Sequence, residues 1–275
     1  MRLTIFSTCA VIGLAGVSLL GCSKSASDTT AASLAETTAA SVETTAAGSA
    51  SETTAVGSTE TTAVAVSGDT VAAAPAVGLP LDTEAFAGTQ CPAADGSAPR
   101  HTKFAAEPKM CIDVAKKYVA VMETSKGNMT FDLDPKRAPK TVNSFVFLAR
   151  QHYFEGIKFH RVVPDFVLQG GDPLSINDDP GVGTGGPGYA FDDELPQPGE
   201  YKVGSLVMAN SGANTNGSQF FIVSGPNGVT LPPNYALFGQ LTDGQPTVDA
   251  IGALAVSDGP PSEPVVINKV TITES

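Results

Sequence analysis

A long low-complexity segment limits how much of this chain of 275 residues can fold. Residues 22–80 consist mostly of Ala, Thr, Ser and Gly. The unit Glu-Thr-Thr-Ala recurs there at irregular spacing, starting at Glu36, Glu43, Glu52 and Glu60. These units carry no apolar face that could stack, and the segment cannot bury enough surface to offset its chain entropy. We therefore predict a disordered linker over 22–80, followed by one folded body over 81–275.

Residues 1–21 have the pattern of an export signal. Arg2 precedes an apolar run, which ends in Leu19-Leu20-Gly21-Cys22, a string that resembles a bacterial lipobox. An acylated Cys22 would carry more than one acyl chain, as stable anchoring requires. We expect an exported lipoprotein, anchored through Cys22 at the outer face of the bacterial cytoplasmic membrane or cell envelope. Plain secretion and an uncleaved membrane anchor are the alternatives.

The cysteine and histidine positions favour one disulfide and no metal centre. No two His, and no set of Cys and His, lie at the spacing of metal ligands. Cys9 and Cys22 belong to the export signal and the anchor, so Cys91 and Cys111 remain. Exported thiols are commonly oxidised, and we predict that these two form a disulfide within an N-terminal extension, residues 81–117. Two buried free thiols are the alternative.

Acidic residues outnumber basic ones in the folded body. The formal net charge of the chain is −12, and residues 81–275 hold 14 basic against 22 acidic residues. Binding to nucleic acid depends on clustered Lys and Arg, which neutralise phosphates. We therefore expect no nucleic-acid partner.

Short β-type segments dominate residues 118–275. We predict strands over 118–124, 128–133, 156–163, 166–169, 204–209, 219–223, 236–241 and 265–272. Helical spacing of Val142, Phe145, Val146 and Ala149, with Pro139 in the first turn, predicts a helix over 139–151. A second short helix is predicted over 247–254. Many short strands with two helices indicate a mainly β fold, a closed antiparallel barrel.

Two strings in this body carry the strongest functional signal. The first is FHRVVPDFVLQGGD, residues 159–172, and the second is MANSGANTNGSQFFI, residues 208–222. Both resemble the signature strings of the cyclophilins, which are peptidyl-prolyl cis-trans isomerases. The resemblance extends from about Tyr118 to Ile272, within a predicted domain over 118–275, and implies an eight-stranded antiparallel β-barrel capped by two helices. It also implies isomerisation of Xaa-Pro bonds, with Pro-containing peptides and unfolded exported proteins as partners.

The resemblance assigns roles position by position. It implies catalytic roles for Arg161, Phe166 and Gln169, and substrate contacts for His160, Val167, Ala209, Asn210, Gln219, Phe221, Leu231 and Tyr235. Such a site seats the Pro ring in an apolar pocket while a guanidinium donates to the Pro nitrogen of the twisted amide. His160 follows the opposite face of its strand from Arg161, so a structural role at the rim competes with substrate contact.

No cofactor is expected for this chemistry. The stretch from Gly181 to Gly186 satisfies the pattern G-x-G-x-x-G, but it follows Asp-Asp-Pro and precedes Pro-Gly. A dinucleotide site requires a strand before that pattern and a helix after it. We therefore interpret the stretch as a tight loop beside the site, and we expect a monomer that works without cofactor or metal.

The sequence also departs from the family's pattern. Thr230 stands where many cyclophilins have Trp, Tyr235 where His is frequent, and Val167 where Met is common. The pocket is therefore expected to be intact on the side of Arg161 and altered on the side of Thr230. This leaves a second hypothesis, a module of the same fold that binds Pro-containing segments with little catalysis.

Overall fold

The structure, a computed structural model, describes residues 79–88 and 90–275. The predicted export signal, the lipidation site Cys22 and nearly all of the predicted linker lie outside these ranges. No helix within the described ranges combines the length and the apolar character needed to cross a membrane.

Eight antiparallel strands form a single sheet. They are β1 (Tyr118–Thr124), β2 (Gly127–Leu133), β3 (Arg161–Val163), β4 (Val167–Gly170), β5 (Ser205–Met208), β6 (Phe220–Val223), β7 (Leu237–Asp243) and β8 (Ile267–Glu274). Their order in the sheet is β3-β4-β6-β5-β7-β2-β1-β8. Isolated pairs join the two edges: the Phe159 N–H donates to Val265 O at 2.9 Å, and the Val162 N–H donates to Gly259 O at 2.7 Å. The sheet is thus barrel-like, and its last side is closed by single bridges instead of a full ladder.

Within the described ranges, three α-helices and one 3-10 helix accompany the sheet. They are α1 (Pro139–Arg150), α2 (Pro226–Val229), α3 (Gln245–Gly252) and the 3-10 helix Pro173–Asn177. In α1 the side chains predicted to face the core, among them Val142 and Val146, are fully buried. Pro139 suits the first turn because its missing N–H would have had no partner within the helix.

The apolar residues form two clusters, one on each face of the sheet. On β6, Phe220 and Ile222 belong to the large interior cluster, whereas Phe221 and Val223 belong to a smaller outer one. Alternate residues of a strand point to opposite faces, so a strand of four buried residues must be covered on both sides. The outer cluster also includes Phe166, Leu231 and Tyr235 at its margin. This outer apolar face provides the floor of the candidate site.

The N-terminal extension packs on the outside of this sheet domain. Cys91 and Cys111 form a disulfide with their Cα atoms 5.2 Å apart, which confirms the predicted pairing. Phe104 is buried and lies edge-on to Phe147 of α1 at a centroid distance of 5.0 Å. The Phe104 N–H donates to Pro187 O at 2.7 Å, so the extension is bonded to the glycine-rich loop that follows residue 180.

Several predicted element boundaries need correction. The strand predicted over 156–163 is regular only over 161–163, because the preceding residues pair through an isolated bridge at Lys158. The second predicted helix lies at 245–252, two residues earlier than 247–254, since the left-handed Gly244 (φ 96°) ends β7 and the helix starts directly after it. Helix α2 and the 3-10 helix were not predicted, because each is about one turn long and begins at a Pro in a loop-like context.

Candidate active site

A cavity of about 330 Å³ opens on the outer apolar face of the sheet. Its lining consists of Arg161, Phe166, Val167, Gln169, Ala209, Asn210, Phe221, Leu231 and Tyr235. All nine are residues that the sequence predicted for the site. The structure therefore brings together residues that lie as far apart in the chain as Arg161 and Tyr235.

Strand register explains why these side chains meet. Arg161 on β3 is directly opposite Gln169 on β4, and Gln169 is opposite Phe221 on β6. Side chains at directly opposed positions project from the same face and lie within contact distance. Arg161, Gln169 and Phe221 therefore form one row across three strands, on the outer face. A shift of one residue in either ladder would turn part of this row into the interior.

The turn between β3 and β4 places Phe166 at the mouth of the cavity. Asp165 adopts a left-handed conformation (φ 54°) there, and the Phe166 carbonyl accepts from the Ser224 N–H at 3.0 Å. Gly225 lies against this turn so closely that a Cβ would come within 2.4 Å of the Asp165 carbonyl carbon. A glycine at 225 is therefore required for the contact between this turn and the loop that leads to Leu231.

A chain of hydrogen bonds holds Arg161. Its Nε donates to Asp258 Oδ1 at 2.5 Å and its Nη2 to Asp258 Oδ2 at 2.9 Å, while its Nη1 donates to Gln169 Oε1 at 3.2 Å. Gln169 Nε2 donates to Gln219 Oε1 at 3.1 Å. The Arg161 guanidinium is thus bonded along one edge and at one further corner.

The chain continues into the glycine-rich loop. Gln219 Nε2 donates to the carbonyls of Gly183 and Gly185 at 3.0 and 2.9 Å. The fully buried carboxylate of Asp172 accepts from the N–H groups of the same two glycines at 2.6 and 3.0 Å. A Cβ at Gly185 would lie 2.0 Å from Asp172 Oδ1, so this close approach requires glycine. The loop braces Gln219, which supports the interpretation of a structural loop beside the site.

Gln219 faces a neighbouring hollow and not the Pro-sized cavity itself. That hollow, of about 210 Å³, is shared by Gln169, Ala209, Asn210 and the loop from Gly183 to Pro187. Asn210 uses its side chain to donate to the Asn234 carbonyl at 2.9 Å. Among the described residues, none bonds the backbone N–H or C=O of Asn210. Its main chain is therefore available to a peptide that crosses from the cavity into the hollow.

His160 lies on the other side of Arg161. It lines a larger cavity of about 670 Å³, together with Arg161, Asp258 and Pro260, and is not among the residues around the smaller cavity. Neither ring nitrogen has a hydrogen-bond partner within the described residues. Burial lowers the pKa of His160, the nearby Asp172 opposes this shift and Arg161 adds to it. The imidazole is therefore neutral at neutral pH.

The charges around Arg161 stabilise its ionised form. The hydrogen bond with Asp258 raises the pKa of Arg161 and lowers the pKa of the Asp258 carboxyl. Both groups are therefore charged over the whole physiological range. Arg161 also lies with its Cζ 6.0 Å from the centroid of the Phe166 ring, at the limit of cation–π contact.

The opposite rim of the cavity is held by packing and by hydrogen bonds to the main chain. Tyr235 packs edge-on to Phe221, with ring centroids 5.5 Å apart. The buried Tyr201 hydroxyl donates to Tyr235 O at 2.7 Å and accepts from the Tyr235 N–H at 3.2 Å. Burial raises the pKa of Tyr201 to about 12, so the hydroxyl keeps its proton. Thr230 follows the end of α2 next to Leu231 and is exposed; its hydroxyl donates to the Asn227 carbonyl and its backbone N–H to the Gly228 carbonyl.

Sequence reasoning missed three residues that shape the site. Asp258 lies outside both signature strings, 97 positions after Arg161, and no local pattern links the two. Tyr201 also lies outside both signature strings, and no local pattern links it to Tyr235. Asp172 ends the first signature string, so a signal was present, and its place before Pro173 also suits the cap of a short helix.

The arrangement combines an apolar cavity with a fixed cationic donor at its edge. Its volume is at the lower end of the range for small-ligand pockets, which suits one ring. In the described part of the chain no group of three or more His, Cys, Asp or Glu is placed to hold a metal ion. The available chemistry is therefore recognition of an apolar ring with hydrogen bonding to an adjacent polar atom.

Comparisons with known proteins agree with this geometry. Residues 119–272 match the family model described as cyclophilin type peptidyl-prolyl cis-trans isomerase/CLD. The chain is 51% identical over 138 residues to a Staphylococcus aureus (strain COL) protein named as a candidate peptidyl-prolyl cis-trans isomerase, and 47% identical to a Staphylococcus epidermidis protein named likewise. Each match covers 48% of this chain and 64% of the relative, so the chain spans less than two thirds of these relatives.

Solved structures show the same fold. A crystal structure of a cyclophilin type peptidyl-prolyl cis-trans isomerase from Cryptosporidium parvum matches with a TM-score of 0.52 and 30% identity, covering 58% of this chain and 99% of that one. The same protein crystallised in the presence of the dipeptide Ala-Pro matches with a TM-score of 0.51. The predicted mainly β fold with eight antiparallel strands is thereby confirmed.

Proposed function

The chain belongs to the cyclophilin-type peptidyl-prolyl cis-trans isomerase family, and from this we propose that residues 118–275 catalyse cis-trans isomerisation of Xaa-Pro peptide bonds. The observation that carries the proposal is the fixed guanidinium of Arg161 at the edge of an apolar cavity with room for a Pro ring. The Ala-Pro dipeptide with which a related protein was crystallised belongs to the same ligand class.

The reaction needs a catalyst that prefers a twisted amide to a planar one. The barrier of roughly 18–20 kcal/mol arises because resonance gives the C–N bond partial double-bond character. In the twisted state the Pro nitrogen becomes pyramidal and regains its lone pair. A donor aimed at that nitrogen therefore binds the transition state more strongly than the ground state.

In the proposed mechanism Phe166, Phe221 and Leu231 bind the Pro ring, and Arg161 donates to the Pro nitrogen. Asp258 and Gln169 occupy only part of the guanidinium's donors, which leaves N–H groups for the substrate. The backbone of Asn210 binds the peptide group before the Pro, and Ala209 lines the adjoining hollow. No covalent bond forms or breaks, so neither a nucleophile nor a general acid is assigned, and His160 has no proton-transfer role.

We further propose where the enzyme works. The lipobox-like string ending in Cys22 and the apolar run before it support export and lipid anchoring at the outer face of the membrane. The Ala/Thr/Ser-rich linker would then hold a monomeric catalytic domain away from that surface, roughly 40–45 Å by the square-root rule for a flexible chain. Pro-containing segments of exported proteins are the proposed substrates. Radiolabelled palmitate incorporation that is lost in Cys22→Ala tests the anchor, and unlabelled wild type contradicts it.

A binding module without useful catalysis is the second candidate. The short exposed Thr230 at the rim favours it, because the loop there offers less contact to a substrate. The assigned pocket residues on the Arg161 side favour the enzyme.

Exchange NMR on an Ala-Pro peptide separates the two candidates. The full chain should accelerate cis-trans exchange, Arg161→Ala should not, and addition of EDTA should change neither result. Binding of the peptide without acceleration would establish the module instead. Acceleration that EDTA abolishes would contradict the proposed mechanism.

A further inference from the structure

We propose that Asp258 is a positioning residue for catalysis, which acts through Arg161 and sets the direction in which the guanidinium donates. This inference rests on the proposed isomerase function. Asp258 lies in the loop between α3 and β8, outside both signature strings and outside the lining of the 330 Å³ cavity. Asp258 is therefore not placed to contact a ligand in that cavity.

The geometry of the pair is that of a fork. Both carboxylate oxygens accept from Arg161, one from Nε and one from Nη2, at 2.5 and 2.9 Å. Two parallel bonds fix the plane of a guanidinium as well as its position, which a single bond does not. The bond from Nη1 to Gln169 adds a third point at another corner. One N–H on each of Nη1 and Nη2 remains available to a ligand.

The loop that carries Asp258 is itself held in place. The residue after it, Gly259, accepts from the Val162 N–H at 2.7 Å, next to Arg161 on β3. The Ser262 N–H donates to Leu254 O at 2.8 Å, and Pro260 and Pro261 restrict the backbone between these two bonds. The carboxylate is therefore presented from a backbone that is bonded to the same strand as its partner.

Arg161 lies between two cavities, so the orientation of its side chain determines which cavity the guanidinium faces. It lines both the 330 Å³ cavity and the larger cavity of 670 Å³ beside His160. A long side chain that lacks its anchor can turn into the larger space, away from the Pro nitrogen. A misplacement of about 1 Å is enough to cost a catalyst up to roughly 100-fold in rate.

The sign of the effect distinguishes positioning from simple charge neutralisation. A carboxylate beside a cation weakens the positive potential that the substrate experiences. If neutralisation were the only consequence, removing the carboxylate would raise kcat. If Asp258 orients the guanidinium, removing it lowers kcat and leaves KM nearly unchanged, because the lost interaction is made in the transition state.

The chain offers a matched control for this test. Arg137 and Glu200 form a second fork, with bonds of 2.6 and 2.9 Å, and neither residue lines the 330 Å³ cavity. The exposed fractions of the two arginine side chains are both 33%. Glu200→Ala therefore removes the same kind of two-point bond from an arginine outside the cavity lining.

The experiment measures kcat and KM separately on an Ala-Pro peptide with the full chain, by NMR exchange and line-shape analysis. Asp258→Ala should lower kcat by about 10- to 100-fold with KM within about twofold. Asp258→Glu, which keeps the carboxylate, should recover part of the loss. Glu200→Ala should leave kcat within about twofold of wild type. The double variant Arg161→Ala/Asp258→Ala should be no slower than Arg161→Ala alone. Asp258 acts only through Arg161, so its removal has no further effect once the guanidinium is gone.

An unchanged or raised kcat in Asp258→Ala overturns the proposal, and so do additive losses in the double variant. The Arg161 Nε–Hε resonance gives a readout that does not depend on activity. It should be shifted from the free-arginine position in wild type and should return toward that position in Asp258→Ala. A chain that does not isomerise the peptide but shows this spectral change contradicts the proposed function and not the anchoring of Arg161. A wild-type resonance already at the free position contradicts the anchoring itself.

Discussion

The two sides of the Pro-sized cavity are built by different means. On the Arg161 side, hydrogen bonds link Asp258 to Arg161 and Arg161 to Gln169, and continue through Gln219 to the glycine-rich loop. On the Thr230 side, Leu231 and Tyr235 are placed mainly by packing, with Tyr201 as the main polar support. Directional bonds hold a group in one orientation, whereas packing tolerates exchange of one apolar shape for another. We therefore expect catalysis to depend on the Arg161 side of the cavity and ligand preference to depend on the Thr230 side.

The largest effect should come from Arg161→Ala. It removes the proposed donor to the Pro nitrogen, and we expect kcat/KM to fall roughly 10²- to 10³-fold, the scale of losing one preorganised donor. Thermal stability should stay near that of wild type, because the side chain is partly exposed and its ion pair is at the surface. NMR exchange and a thermal melt measure the two quantities. An unchanged rate would show that Arg161 does not contribute to catalysis.

The next effect concerns ligand preference on the Thr230 side. The resemblance to cyclophilins implies that cyclosporin-type macrocycles reach over this rim, where a Trp would supply an N–H and a large apolar face. Losing about a third of a Trp contact of 150–250 Å² costs roughly 1–2 kcal/mol, or about tenfold in affinity. Thr230→Trp should therefore tighten cyclosporin binding by about tenfold, with a smaller change in peptide turnover, as a titration can measure. Nanomolar binding by wild type would contradict this view of the rim.

A smaller effect should follow from pH through His160. Its pKa lies below the ordinary value of 6.5 because the ring is buried, so kcat/KM should be flat above pH 7. As pH falls below 6.5 the unfolded chain takes up this proton before the folded one does. Stability should therefore decrease from pH 6.5 down to the folded-state pKa. His160→Asn removes this contribution, which pH-dependent melts of both proteins can detect. A His160 resonance that titrates above 6.5 would contradict the burial argument.

The smallest effect on rate is expected from the disulfide. Opening the Cys91–Cys111 loop should cost about 3 kcal/mol on the chain-entropy model and lower Tm by about 6–12 °C. At low temperature the rate should change by less than about twofold, because Phe104 has its own buried aromatic contacts and keeps its bond to Pro187. The variant Cys91→Ser/Cys111→Ser, melted and assayed at low temperature, tests this. A large rate loss would mean that the extension also supports the Arg161 side, through the glycine-rich loop.

Local patterns accounted for much of the fold and of the cavity. The alternation on β6 places Phe221 on one face and Phe220 on the other, and the resemblance carried by the two signature strings predicts eight antiparallel strands. The order of these strands in the sheet comes from the structure alone. Short elements escaped prediction, since one helical turn such as Pro226–Val229 has too few residues to show a period.

What the sequence alone determined was the set of residues around the Pro-sized cavity. Seven of the nine sit in the two strings that resemble the cyclophilin signatures, and the same resemblance assigns Leu231 and Tyr235, which follow the second string. What only the tertiary structure decided was how Arg161 is aimed. Its partner Asp258 comes from a loop 97 residues later, and the pairing exists because the Gly259–Val162 bridge brings that loop to β3. The link from Phe104 to the glycine-rich loop is of the same kind. Contacts between distant loops depend on how the sheet closes, and no local periodicity contains that information.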